Sequence, residues 1–135
     1  MSEIQNLVIW GNHSKTQYPD VFEAKIGSQT LREAINDDAW LDSEFLSKVQ
    51  NRGAEIIAAM GKSSAASAAR ATCDHVRDMF HGTPEGRVVS MAVLSDGSSY
   101  DVPEGIVFSF PVTLENQEWK IVEGLQLNDF QKEKI

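Results

Sequence analysis

The sequence predicts an α+β fold, a twisted antiparallel sheet with long helices packed on one side. Two observations carry this. Residues 42–60 and 63–80 are consecutive stretches whose apolar positions recur at helical spacing. Residues 88–122 then hold runs rich in Val, Ile and Phe between short turn signals, as in a meander.

With 135 residues the chain has the size of one domain, 1–135, able to bury about two-thirds of its unfolded surface. A net charge of −8 argues against a nucleic-acid partner, because a phosphate backbone calls for Lys and Arg. No apolar run approaches the ~18–20 residues of a membrane span, so no membrane partner is expected. Met1-Ser2-Glu3 lacks the basic start of a signal peptide. The single cysteine, Cys73, cannot form an internal disulfide and suits a reducing compartment, so a cytoplasmic location is expected.

The elements follow in order. Leu7-Val8-Ile9-Trp10 reads as a buried strand, ended by Gly11 and Asn12, which both tolerate positive φ. Residues 21–27 read as a second strand turned by Gly27-Ser28. Thr30 caps a short helix over 31–35, which Asn36-Asp37-Asp38 ends.

Asp42 or Ser43 starts the first long helix, with a stripe of Phe45, Leu46, Val49, Ile56, Ile57 and Met60. Mid-helix Gly53 costs about 1 kcal/mol against Ala, which a closely crossing helix would offset. Gly61 is the stop. The second long helix begins near Ser63-Ser64, and its predicted buried face is Ala65, Ala69, Thr72, Cys73, Val76 and Phe80. Its Ala- and Ser-rich first turns let a backbone or flat ligand come near; close helix packing is the commoner cause of such a stripe. Gly82 and Pro84 close it.

In the meander, Ser95-Asp96-Gly97 and Glu115-Asn116-Gln117 are turns, and Pro111, lacking an N–H, is expected at an edge or bulge. Residues 127–135 begin a last helix in which Asn128 and Gln131 imitate a capping box.

The residue that stands out chemically is His13, an imidazole at the mouth of a turn just past a strand. Its ordinary pKa, near ~6.5, lets it exchange a proton at neutral pH, although a histidine in such a place is more often a solvated loop residue. His75 and His81 do not share the i, i+4 spacing of zinc sites and read as surface residues, so no metal is expected. Cys73 reads as a small buried hydrophobe, Asp37, Asp38 and Asp42 as solvated helix-end charges, and Trp10, Trp40 and Trp119 as core or interface aromatics.

The string Val8-Ile9-Trp10-Gly11-Asn12-His13-Ser14, then Gln17-Tyr18-Pro19-Asp20, resembles the active-site segment of cytosolic-type malate dehydrogenases. The likeness continues through Asn51-Arg52-Gly53-Ala54, Ser63-Ser64-Ala65-Ala66-Ser67-Ala68-Ala69, Asp74-His75-Val76-Arg77-Asp78, Gly82-Thr83-Pro84-Glu85-Gly86, Ser95-Asp96-Gly97, Phe110-Pro111-Val112 and Val122-Glu123-Gly124-Leu125. It covers nearly the whole chain.

The resemblance implies an oxidoreductase that interconverts malate and oxaloacetate with NAD, a homo-oligomer in the cytoplasm. It implies that His13 takes the proton of the malate hydroxyl as hydride leaves, and that Ser63 and Ser64 line the substrate pocket, Ser64 also meeting the nicotinamide. The bland reading of either serine is an N-cap.

The same resemblance covers only the family's second half. No Gly-x-Gly-x-x-Gly is present, so no Rossmann domain is expected within 1–135, and the nucleotide-binding half becomes a required partner. Arg32, Arg52, Arg70, Arg77 and Arg87 match none of the family's substrate-binding arginines. The 135 residues alone are therefore expected to be inactive and, with an interdomain surface bare, to associate. The rival class is a non-catalytic interaction or dimerisation module.

Overall fold

The computed structural model describes residues 4–13 and 15–135; Met1-Ser2-Glu3 and Ser14 of the His13 string lie outside the described residues. In chain order the elements are β1 (Ile4–Gln5), β2 (Val8–Trp10), β3 (Tyr18–Asp20), β4 (Lys25–Ile26), β5 (Gln29–Thr30), α1 (Leu31–Ile35), α2 (Asp38–Leu41), α3 (Glu44–Met60), α4 (Ala65–His81), β6 (Val89–Leu94), β7 (Val107–Glu115), β8 (Glu118–Ile121) and α5 (Asp129–Lys134). The fold is α+β, and every strand pairing described is antiparallel. The sheet orders are β1-β4-β5, β2-β3 and β6-β7-β8.

Local signals act where expected. Thr30 and Glu33 form a reciprocal capping box on α1, and Asn128 and Gln131 another on α5. Asn116 and Gln117 both take positive φ, 53° and 66°, the backbone of a two-residue turn matched to strand twist, between β7 and β8. Gly61 caps α3 at φ 70°.

Elsewhere the structure corrects the sequence reading. The second strand is not 21–27. Tyr18–Asp20 pairs with β2, and only Lys25–Ile26 of the expected run is extended. Pro19 lies buried in this strand, opposite Ile9. Pro111 sits in central β7, not at an edge. Its carbonyl accepts from the Val122 amide, so its nitrogen faces the same side, just past the last residue of β8. The missing N–H therefore falls where the ladder has already ended.

Burial departs further from expectation. On α3 only Leu46 is buried; Phe45, Val49 and Ile56 are half-buried, while Ile57 and Met60 are 50% and 59% exposed. No atom approaches within 4 Å of a Cβ built on Gly53, so the expected helix crossing is absent among the described residues. On α4 the face predicted to be buried lies open: residues 65–73 are all exposed, Cys73 included, and Val76 and Phe80 are 47% and 68% exposed. The 3.6-residue period identified a shared face but not a cover for it.

What does hold α4 is its far end. Asp78 is buried and pairs with Arg77 at 2.8 Å. Beyond the helix, the Thr83 amide donates to the Leu114 carbonyl (2.9 Å), and the Leu114 amide donates to Thr83 Oγ1 (3.1 Å). A side chain at Gly82 would put its Cβ 2.9 Å from the Leu114 oxygen, so the chain passes β7 at glycine distance.

The core lies between β2–β3, the β6-β7-β8 sheet and α5, with Trp10, Phe110 and Val112 fully buried. Trp10 meets Tyr100 edge-on at 4.9 Å, and Phe130 of α5 meets Tyr18 edge-on at 6.3 Å. At the centre is a buried carboxylate. Asp20 Oδ2 accepts from Trp10 Nε1 (3.0 Å) and Gln131 Nε2 (2.9 Å), and Oδ1 accepts from the Phe22 amide (3.0 Å).

Removing that acceptor strands two buried donors, each worth about 1–3 kcal/mol. Asp20→Ala is expected to lower stability by about 2–4 kcal/mol in equilibrium urea unfolding. A second expectation concerns alkali. Burial, then the Asp20 and Asp42 carboxylates, push the Tyr18 phenol well above its ordinary 10.0. The folded chain holds that proton more tightly than the unfolded one. Its contribution is complete below pH 10.0 and is lost as pH rises beyond it. Tyr18→Phe should therefore flatten the alkaline limb of a pH–stability curve, and an unchanged limb would contradict the assignment.

Candidate functional site

The site begins with the stem of a hairpin. Trp10 and Tyr18 pair at the ends of β2 and β3, leaving residues 11–17 as the connecting loop that carries His13. Gly11 takes φ 89°, a conformation that turns the chain out of β2 and that L side chains rarely adopt.

Both loop ends are tied to other elements. At the first, the Gly11 amide donates to the Ser109 carbonyl (3.3 Å), and the Ser109 amide donates to the Gly11 carbonyl (2.7 Å). At the last, Gln50 Nε2 of α3 donates to the Gln17 carbonyl (2.8 Å). Two residues before Gly11, the Ile9 amide donates to Ser90 Oγ (2.8 Å), while Ser109 Oγ donates to the Ile9 carbonyl (2.6 Å). Strands β6 and β7 thus grip the stem through two serine hydroxyls.

His13 itself is exposed, and its imidazole has no hydrogen-bond partner among the described residues. Ser63 is exposed in the link after α3, and Ser64 is half-buried at the N-cap of α4. The Ser64 side chain makes no capping bond; Ser67 Oγ donates to its carbonyl (3.2 Å). The N-cap reading is therefore right for position and wrong for the hydroxyl's bond. No hydrogen bond among the described residues joins His13 to either serine.

Several other charged groups pair within the chain. Arg32 pairs with Asp38 and Asp42 and stacks over Phe22 at 3.9 Å, and Asp37 caps α2 by accepting from the Trp40 amide. Asp37 and Asp38 are the exposed helix-end charges expected, and Asp38 and Asp42 in addition pair with Arg32. Arg52 pairs with Glu55, Arg70 with Asp74, and Arg77 with both Asp74 and Asp78. The Arg70 guanidinium holds the exposed Asp74 carboxyl below the usual carboxylate range. His75 is half-buried at the surface of α4, His81 is exposed, and Trp119 is 47% exposed on β8. Among the described residues no group of three or more His, Cys, Asp or Glu could hold a metal ion. None of their helices is long and apolar enough to cross a membrane.

A groove of about 470 Å³ runs between Tyr100, Val102, Phe108, Leu127 and Lys132. It does not include His13, Ser63 or Ser64. The candidate site is instead the loop between β2 and β3, tied at its ends to β7 and α3.

Sequence reasoning missed Ser90, Ser109 and Gln50. A signal existed for two of them. Ser109 interrupts an apolar run between Phe108 and Phe110, and Gln50 lies four residues from Leu46, a polar side chain on the apolar face of α3.

The whole chain, residues 1–135, matches the lactate/malate dehydrogenase alpha/beta C-terminal domain, and the chain belongs to that family. Within it, the chain is 54% identical to the cytoplasmic malate dehydrogenase of Bos taurus over 137 residues, covering 98% of this chain and 41% of the relative. It is 55% identical to that of Homo sapiens, covering 99% and 41%. Among solved structures it is similar to malate dehydrogenase from Naegleria fowleri, with TM-score 0.87 and 45% identity over 97% of this chain and 40% of that one. It also superposes on Trichomonas vaginalis lactate dehydrogenase in complex with NADH and oxamate, with TM-score 0.88 and 29% identity over 97% and 41%. The chain spans about two-fifths of the length of these relatives.

Proposed function

We propose that these residues form the substrate and catalytic-base half of a cytoplasmic, NAD-dependent malate dehydrogenase. The observation that carries the reading is the His13 loop: an exposed imidazole on a hairpin tied to β7 and α3 at its two ends. The relatives named malate dehydrogenase, at 54–55% identity, support malate over lactate as the substrate class. The lactate dehydrogenase neighbour stands at 29%.

In this reading a ring nitrogen of His13 accepts the proton of the malate hydroxyl, which raises electron density on the oxygen and favours departure of hydride from the same carbon. In reverse, protonated His13 donates to the oxaloacetate oxygen. Ser63 and Ser64 line the substrate pocket, with Ser64 also turned to the nicotinamide.

The described residues do not themselves fit a dinucleotide. All their strand pairs are antiparallel, and no Gly-x-Gly-x-x-Gly joins a strand to a helix. NAD, the hydride acceptor, is then held by polypeptide outside these 135 residues. That polypeptide also supplies the arginine forks for a dianion and a carboxylate to orient His13.

The 135 residues alone are expected to give no malate oxidation with NAD. Mixed with a separately made nucleotide-binding half, they should recover it, and His13→Ala should remove it by about 10²- to 10⁴-fold. Association without recovery would favour the interaction-module reading. The exposed Ile57, Met60, Val76, Met79 and Phe80 favour association of the 135 residues alone. Light scattering should show homo-oligomers that disperse when the nucleotide-binding half is added; a clean monomer would contradict this.

A further inference from the structure

We propose that Gln50, on α3, is a positioning residue for His13. The proposal rests on the reading of His13 as the catalytic base. The imidazole makes no hydrogen bond of its own among the described residues, so its direction is inherited from the loop that carries it. That loop has two ends. Gly11 is fixed by backbone bonds to Ser109, which no side-chain replacement can remove. Gln17 is fixed by the Gln50 amide at 2.8 Å.

Gln50 is suited to the task by place and by chemistry. It sits in the middle of a 17-residue helix, far from either frayed end. It lies one turn beyond the buried Leu46, so its stem shares the anchored face of α3 and both partners of the bond are half-buried. Partial withdrawal from water strengthens such a bond and raises the cost of losing it. A neutral amide also holds the carbonyl without bringing a charge to the root of a loop that must exchange a proton. The bond therefore does more than fill space on α3: it fixes where the loop hands over to the start of β3.

The test compares Gln50→Leu, which keeps the bulk and removes the donor, with Gln50→Lys, whose ammonium can reach the same carbonyl. In the 135-residue chain, held well below its unfolding transition, ¹⁵N relaxation should show loop residues 12, 13, 15 and 16 losing order in the Leu variant and regaining it in the Lys variant, while Tm falls by only the few degrees that one half-buried bond is worth. In the enzyme reconstituted with a nucleotide-binding half, Gln50→Leu should lower kcat about 10- to 100-fold, as expected for a misaimed base, with KM for NAD unchanged. In a His13→Ala background the same change should cost nothing further. Unaltered loop relaxation in the Leu variant, or an equal loss with and without His13, would overturn the proposal. Failure of the unaltered chain to reconstitute would count against the function reading, while the relaxation comparison would still decide what Gln50 does to the loop.

Discussion

The fold depends on one buried carboxylate. Asp20 receives Trp10 from β2, Gln131 from α5 and the Phe22 amide from its own chain direction. These elements have no other common partner of this kind. An isolated buried carboxylate is expensive, and here three donors satisfy it where a cation would otherwise be needed. The bonds are also directional, so they fix register as apolar contact alone would not. Trp10 is the last residue of β2 before the His13 loop, and its ring is locked between Asp20, Tyr100 and Phe110. Trp10 thus carries the rigidity of the core to the first end of the loop, beside the Gly11–Ser109 backbone bonds.

From that centre the architecture reads outward in two grades. Near Trp10 the structure is dry and cross-tied: Ser90 and Ser109 bond to Ile9, and β7 bonds to Gly11. Toward the ends of α3 and α4 it becomes open, with large apolar side chains facing solvent. In the function proposed above, these uncovered side chains would face the polypeptide that completes the enzyme.

What was legible in the sequence was local. Thr30 with Glu33, Asn128 with Gln131, and the Asn116-Gln117 turn are decided by neighbours within a few residues, and all three appear as expected. The α+β class followed from periodicity, and the family from a long ordered string. What was not legible depended on distant chain. Tyr18–Asp20 does not read as a strand until Val8–Trp10 is set opposite it. The face of α4 looks buried because Ala65, Thr72 and Phe80 share a side, but sharing a side does not supply a lid. For the candidate site, His13 announced itself, while the groups that hold its loop, Gln50 and Ser109, lie 33 and about 100 residues away from the positions they bond.

The mooring of α4 at Gly82 makes that helix a lever. Its pivot is the close passage of Gly82 and Thr83 over Leu114, and its other end carries Ser63 and Ser64. At about 1.5 Å per residue its 17 residues span about 25 Å, so a tilt of about 5° at the pivot swings Ser64 by about 2 Å. In the function proposed above, a body leaning on the exposed flank of α4 would set the gap between the two serines and the imidazole, so that docking and assembly of the site would be one mechanical event.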